Sequence, residues 1–411
     1  MPDPASRLRL IWWARPGLLV LLVAGAMWSG FRTARAQAPS AVAATPPRHA
    51  ALRLLDLFTA AGGPVVPGAV PAGLSGISPA ECASCHAEIA AEWQFSAHAR
   101  AFSNAVFQGE YQPAKERFCQ KCHAPLVTDP AASDAPELFA RGVDCAVCHV
   151  RQGQVLGAHG RGDSDHAARK DARLATSAFC GSCHQFDFPA PAPDQPVRYH
   201  PGQPLQDTLV EHARSPYARV TCQGCHMPAV PAPEPGAPGA RPHRSHAFAT
   251  FEDRALMAGA VKVRVRARRQ GRAVIASAVL AAGKLGHGFP TGDMFRKGIL
   301  TLRLGAQTQV VVLQRIFAPT ITADARGHLL GQVDDTRLLP GSGGGAQRHT
   351  FRFEPAGEAE ALEWTLELYR LDPATARERG LPQSLIRVPM LAGTAPVRRS
   401  APVVLTTAPP P

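Results

Sequence analysis

The chain is poor in tyrosine and tryptophan, has no cysteine after Cys225, and near its N-terminus carries only a short apolar run. Each shortage excludes something. There are four tyrosines and five tryptophans in 411 residues. No Lys/Arg block interleaved with aromatics appears, which argues against nucleic acid as a partner. The apolar run Gly17 to Met27 is eleven residues long, against the roughly 20 that a spanning helix needs. The missing late cysteines confine thiol chemistry to the first part of the chain.

That chemistry is explicit. All ten cysteines fall in five copies of one motif. They read Cys82-Ala-Ser-Cys85-His86, Cys119-Gln-Lys-Cys122-His123, Cys145-Ala-Val-Cys148-His149, Cys180-Gly-Ser-Cys183-His184 and Cys222-Gln-Gly-Cys225-His226. Cys-x-x-Cys-His is the attachment site of a c-type haem: two thiols add to the vinyl groups and the adjacent histidine reaches the iron. Four-thiolate zinc sites would use Cys-x-x-Cys units in pairs and need no histidine. Disulfides would also leave the histidine idle. The expected cofactor is therefore haem c, five copies, covalently bound, with His86, His123, His149, His184 and His226 as metal ligands.

Residues 1–36 read as an export signal, with Arg7, Arg9 and Arg15 before the apolar run and Ala34-Arg-Ala36 as a small-x-small cleavage site. The alternative is an uncleaved anchor with Trp12 and Trp13 at the membrane surface. Either way the expected location is periplasmic or otherwise exported. The formal charge of +12 falls to +8 without residues 1–36, which carry five arginines and one aspartate. Ten haem propionates would take +8 to −2. The excess Lys and Arg are thus expected to serve as propionate partners and a mixed surface.

The expected architecture is α+β: a loop-rich, mainly helical multihaem domain over residues 78–250, then an all-β, sandwich-like domain over 258–372. Residues 37–77 read as a linker and 373–411 as a Pro- and Ala-rich tail. Successive motif histidines are 37, 26, 35 and 42 residues apart, intervals too short for separate domains. Apolar side chains between motifs are few, so the haem itself is expected to supply the core. A helix is expected from Pro79, capped by Ser78, through His98 to Phe102. If continuous, it sets His86 and His98 about 18 Å apart along its axis, so His98 must serve a different haem. From Val261 the period becomes two, with Val261, Val263 and Val265 alternating with Lys262, Arg264 and Arg266.

Further motifs carry a resemblance. They are Trp93-x-x-Ser96-x-His98 after the first Cys-x-x-Cys-His, Gly142-Val-Asp before Cys145, Phe179 before Cys180, Gln206-Asp-Thr208 with Glu211 and Ser215-Pro-Tyr217, and His226-Met-Pro ahead of His246-Ala-Phe248. Over residues 78–250 the chain resembles the multihaem c-type cytochromes related to the tetrahaem electron acceptor of hydroxylamine oxidoreductase. The resemblance implies His98 and His246 as distal ligands. It departs from that group in its fifth motif, in His212 where a tryptophan is frequent, and in a proline-rich loop that leaves His243 and His246 as rivals. His159 is expected as a third distal ligand. Gly286-His287-Gly-Phe-Pro-Thr-Gly292 is similar to a segment of extended members, and His287 is expected to reach the haem domain. His166, His200 and His212 stay open for the fifth.

The function expected is electron transfer between redox partner proteins, other cytochromes or a membrane quinol oxidase or reductase, with membrane contact only if the N-terminal segment is uncleaved. A multihaem oxidoreductase with one open iron, acting on nitrite, hydroxylamine or a sulfur oxyanion, is the alternative. Against it, no motif replaces histidine by lysine as in pentahaem nitrite reductases. None of Tyr111, Tyr199, Tyr217 and Tyr369 has a crosslinking context.

Overall fold

The computed structural model describes residues 67–399 apart from 114, 129–135, 161–165, 191–197, 232–241, 322–327, 342–344 and 358–359. The export signal, most of the expected linker and the last twelve residues lie outside the described residues. The chain is mixed α+β. Its first part holds short helices: α1 Pro79–Ala83, α2 Ala87–Gln94, α3 Ala105–Tyr111, α4 Arg117–His123, α5 Pro136–Ala140, α6 Cys145–His149, α7 Ser177–His184, α8 Thr208–Ala213 and α9 Cys222–His226. Three small sheets join them: β1 Val150–Arg151 with β2 Gln154–Gly157 and β3 Ala168–Lys170, β4 Gln185–Ala190 with β5 Arg198–Asp207, and β6 Ala229–Val230 with β7 His243–Arg244.

Ser78 caps α1 as its sequence predicts, in a reciprocal box with Glu81, and Pro79 takes the first helical position. The expected continuous helix is not formed. The chain breaks at His86, where φ is −118° and ψ 46°, and α2 ends at Gln94 before a run of turns carrying His98. The end of the expected linker is also not loose. Pro67 is buried, its carbonyl accepting from Gly153 N at 2.7 Å, and Ile77 O accepts from Arg141 Nη2 at 2.7 Å.

The second part begins with α10 Arg254–Ala260 and runs through β8 Val261–Gln270, β9 Ala273–Ala282, β10 Lys297–Leu304, β11 Gln307–Leu313, β12 Arg315–Ile321, β13 His328–Asp335, β14 Gln347–Phe353 and β15 Ala361–Tyr369. Two helices, α11 Pro373–Glu378 and α12 Gln383–Ile386, precede β16 Arg387–Arg399. Seven strands are hydrogen-bonded in the order β11-β10-β15-β16-β8-β9-β14, and β12 with β13 forms a separate ribbon. Leucines of β10 and β15 meet alanines, valines and Leu280 of β8 and β9 in one core.

β16 corrects the expected tail. Its first part pairs antiparallel with β15 and its end, Val397–Arg399, pairs parallel with β8. Its prolines do not prevent this: Pro389 sits opposite the irregularity between Leu366 and Glu367, and Pro396 lies where β16 leaves β15. These are positions where a missing N–H costs little. Among the described residues no helix is long and apolar enough to cross a membrane.

Candidate functional site

The five motifs line one cavity of about 2440 Å³, floored by the first part of the chain and closed by residues 284–296 of the second. Each motif lies on a helical turn, which puts the two thiols three residues apart on one face and the histidine just beyond. Side-chain caps fix where the turns begin. Asp144 Oδ1 accepts from Val147 N at 3.1 Å, and Thr176 Oγ1 accepts from Phe179 N at 3.3 Å.

Four of the motif histidines face a second imidazole. Ring centres are 6.1 Å apart for His86 and His166, 6.3 Å for His184 and His98, 6.2 Å for His149 and His246, and 6.1 Å for His226 and His287. Two imidazoles bound to opposite sides of one metal at about 2.0 Å each hold their ring centres about 6 Å apart. In four of these rings Nδ1 is occupied by a backbone carbonyl. His149 donates to Leu156 O at 2.8 Å, His226 to Ala249 O at 2.5 Å, His246 to Arg244 O at 2.7 Å and His287 to Gly288 O at 3.0 Å. Such bonds fix the tautomer and leave Nε2 for a metal. Burial also favours the neutral form of several of these rings: it brings His98 and His246 down to about 4 and His184 to about 3, and lowers His149 and His287. Only the neutral imidazole ligates.

His123 differs. Its Nδ1 donates to Ala101 O at 2.7 Å, like the others, but the Phe107 ring stacks on it at 3.8 Å. Among the described residues no second imidazole faces it.

The histidine expectations separate accordingly. His98 faces the fourth motif rather than the first, although the continuous helix from which that was argued is absent. His246 faces His149, whereas His243 is held by Glu92, Nε2 to Oε1 at 3.1 Å. Glu92 Oε2 accepts from His246 N at 2.7 Å, so one carboxylate places both. His159 lines the cavity from the exposed bend after β2, and the ring that faces His86 is that of His166. His212 is buried, and its Nε2 donates to Val220 O at 2.9 Å. No sequence signal separated His166 from His159, because both lie near the third motif in one loop.

The thiols adjoin across motifs. Cys82 and Cys145 are neighbours, as are Cys180 and Cys222, and Cys122 Sγ lies 4.0 Å from Cys183 O. These contacts place the first motif on the third, the second on the fourth and the fourth on the fifth. No two of the ten cysteines are joined as a disulfide, and among the described residues no three His, Cys, Asp or Glu side chains converge as a metal cage. Spread thiol pairs with opposed imidazoles fit a flat, doubly tethered metal group, not a compact zinc ion.

His287 is placed by a clasp that the sequence did not disclose. On α8, Glu211 Oε2 accepts from Gly288 N at 2.9 Å and from Thr291 Oγ1 at 3.0 Å, while Oε1 lies 2.7 Å from Arg337 Nη2. Arg337 also donates to Pro290 O at 3.1 Å and to Asp335. The two side chains are 5% and 8% exposed, so the pair is shielded from water. A Cβ at Gly288 would lie 2.8 Å from Arg337 Nη1 and 3.0 Å from Glu211 Oε2, which is why the position is glycine.

Comparison with known proteins points the same way. The family described as Cytochrome c554 and c-prime matches residues 81–150, the span of the first three motifs. A penta-heme cytochrome c552 from Thermochromatium tepidum has a similar structure, with a TM-score of 0.59 and 20% identity over 78% of this chain and 99% of that one. No curated protein sequence matches. The structural likeness speaks for the fold. The partial family match, with the donor set above, supports a multihaem c-type cytochrome with covalently bound haem.

Proposed function

We propose that the chain is an exported cytochrome that holds five haems c and carries electrons between redox partners. The observation that carries this reading is the set of four facing imidazole pairs beside the thiols of four motifs. Cys82 and Cys85, Cys119 and Cys122, Cys145 and Cys148, Cys180 and Cys183, and Cys222 and Cys225 would tether the groups. A haem iron with imidazole on both sides takes up and releases an electron with little change of coordination. The chain's part is to hold each ring pair at fixed separation, keep the rings neutral and set the motifs edge to edge. Partners are proposed to be other cytochromes or a membrane quinol oxidase or reductase. Kinship with the tetrahaem acceptor rests on motif order alone. The test is the mass and absorption spectrum of the exported protein: five haem masses above the polypeptide are expected. A colourless product, or one of bare polypeptide mass, ends the proposal.

A second reading follows from His123. With no imidazole opposite among the described residues, its iron would keep one position for a small molecule, as an oxidoreductase of nitrite, hydroxylamine or a sulfur oxyanion requires. Paramagnetic resonance of the ferric protein separates the two. One high-spin centre that shifts with cyanide or nitrite favours the oxidoreductase. Five low-spin centres remove it and leave the carrier.

A further inference from the structure

The sheet has a solvent face whose chemistry none of the above uses. On β8 the outward positions are Lys262, Arg264, Arg266 and Arg268, all exposed, while Val261, Val263, Val265 and Ala267 alternate inward. The strand register carries this row sideways. Val279 of β9 lies between Arg264 and Arg348, and Ile275 lies between Arg268 and Arg352. Arg398 of β16 lies beside Arg268. Residues directly opposite on paired strands share a face. Arg348, Arg352 and Arg398 are exposed as well. Seven cations therefore stand together over about 20 by 14 Å, at the usual strand and residue spacings.

On β9 and β14 the outward positions between these cations are Ile275, Ser277, Val279, Ala281 and Thr350. None is acidic. Glu354, at the end of β14, pairs with Arg352 at 3.0 Å and only trims the rim. None of the seven cations lines the haem cavity. They are not propionate partners, and this surface is not mixed in sign, contrary to the expectation from net charge.

We propose that this face rests on an anionic lipid surface, with the phosphate headgroups as its ligand. A field of like charges on adjacent strands costs self-repulsion, which a partner of opposite sign relieves. The shape selects among anionic partners. The face is the outer side of paired strands, and no aromatic side chain stands among these outward positions. Protein interfaces are anchored by buried aromatics and a desolvated centre. A layer of hydrated headgroups needs neither, and attracts each cation within about a Debye length. The proposal is independent of the number or ligation of haems.

The test uses the haem-loaded, exported protein and sedimentation with vesicles of phosphatidylcholine, alone or with roughly one third phosphatidylglycerol. Binding to the anionic vesicles only is expected, weakening at least about tenfold between low and roughly 0.5 M salt. The variant R264E/R266E/R348E should lose it, with the visible spectrum and melting temperature unchanged. Equal binding to both vesicle types, binding that survives high salt, or binding retained by the variant would each overturn the proposal, since an apolar N-terminal segment acts without regard to charge. Salt-sensitive binding to an acidic redox protein, without binding to vesicles, overturns it in favour of a protein partner.

Discussion

The two parts of this molecule fill their interiors with different material. The β region packs twenty buried residues into one cluster, with Leu300, Leu302, Leu362 and Leu366 fully buried. The motif region's own cluster has four buried residues, Leu126, Ala146, Val147 and Val150, around a cavity that the motif cysteines line. Burial of apolar surface is the main favourable term in folding. The β region therefore has that term in its side chains, whereas the motif region must take it from a bound apolar group. A group that binds only the folded form stabilises it by its binding free energy.

The strongest way to break this contrast is to prevent attachment altogether. With every motif cysteine changed to serine, the motif region is expected to lose its fold while the β region keeps it. Limited proteolysis should then leave a protected fragment close to residues 254–399 and digest residues 79–250. Equal protection of both regions would show that the motif region's side chains suffice. Equal digestion would show that the β region leans on its neighbour.

Next in size is the clasp across the boundary. Removing one partner of a buried ion pair costs about 3–5 kcal/mol, because the other charge is left uncompensated. Arg337 keeps Asp335, so Glu211→Ala should cost about 3 kcal/mol, the low end of that range, in a denaturant melt and release the loop that carries His287. A high-spin signal from the His226 centre should accompany it. His287→Ala provides the reference: it should give the same spin change with a smaller loss of stability. If His287→Ala leaves the spectrum unchanged, His287 is not a ligand. If only Glu211→Ala leaves it unchanged, the clasp is structural and no more.

A change inside the β core should stay on its own side. Leu366→Ala deletes a fully buried side chain, and such losses cost about 2–5 kcal/mol. The melt should shift by that amount while every haem spectrum is retained. A spectral change would mean that the core sets the His287 loop as firmly as Glu211 does.

What could be read beforehand divides along the same line. The five motifs are local, so the cysteines and adjacent histidines that line the cavity were legible at once. So was β8, because alternating valine and cation over Val261–Arg266 has one physical solution. The facing histidines were harder, since they depend on contacts distant in sequence. His246 rather than His243 faces His149, and Glu92, some 150 residues earlier, holds both. His166 rather than His159 faces His86, a choice made by the return of β3 onto β2. The helix through His98 was over-extended because its apolar spacing suits a helix beyond Gln94, and long-range contacts override propensity. One of these is Trp93 Nε1 donating to Val143 O at 2.9 Å. β16 was hidden by its prolines and made visible only by its two partners.

The smallest predicted effect tests whether burial, not mere bridging, makes a contact between the two parts matter. Arg100 Nη2 lies 2.7 Å from Glu252 Oε1, joining the turns near His98 to the segment before α10. Its geometry is as close as that of Arg337 on Glu211, but its side chains are 41% and 51% exposed. Water screens such a pair, and holding two long side chains together costs entropy, so exposed pairs contribute about 0–1 kcal/mol. Arg100→Ala should therefore shift the melt by less than about 1 kcal/mol, leave every spectrum intact and matter less still as salt rises. A loss comparable to that of Glu211→Ala would mean that bridging the two regions is stabilising in itself, wherever the bridge stands.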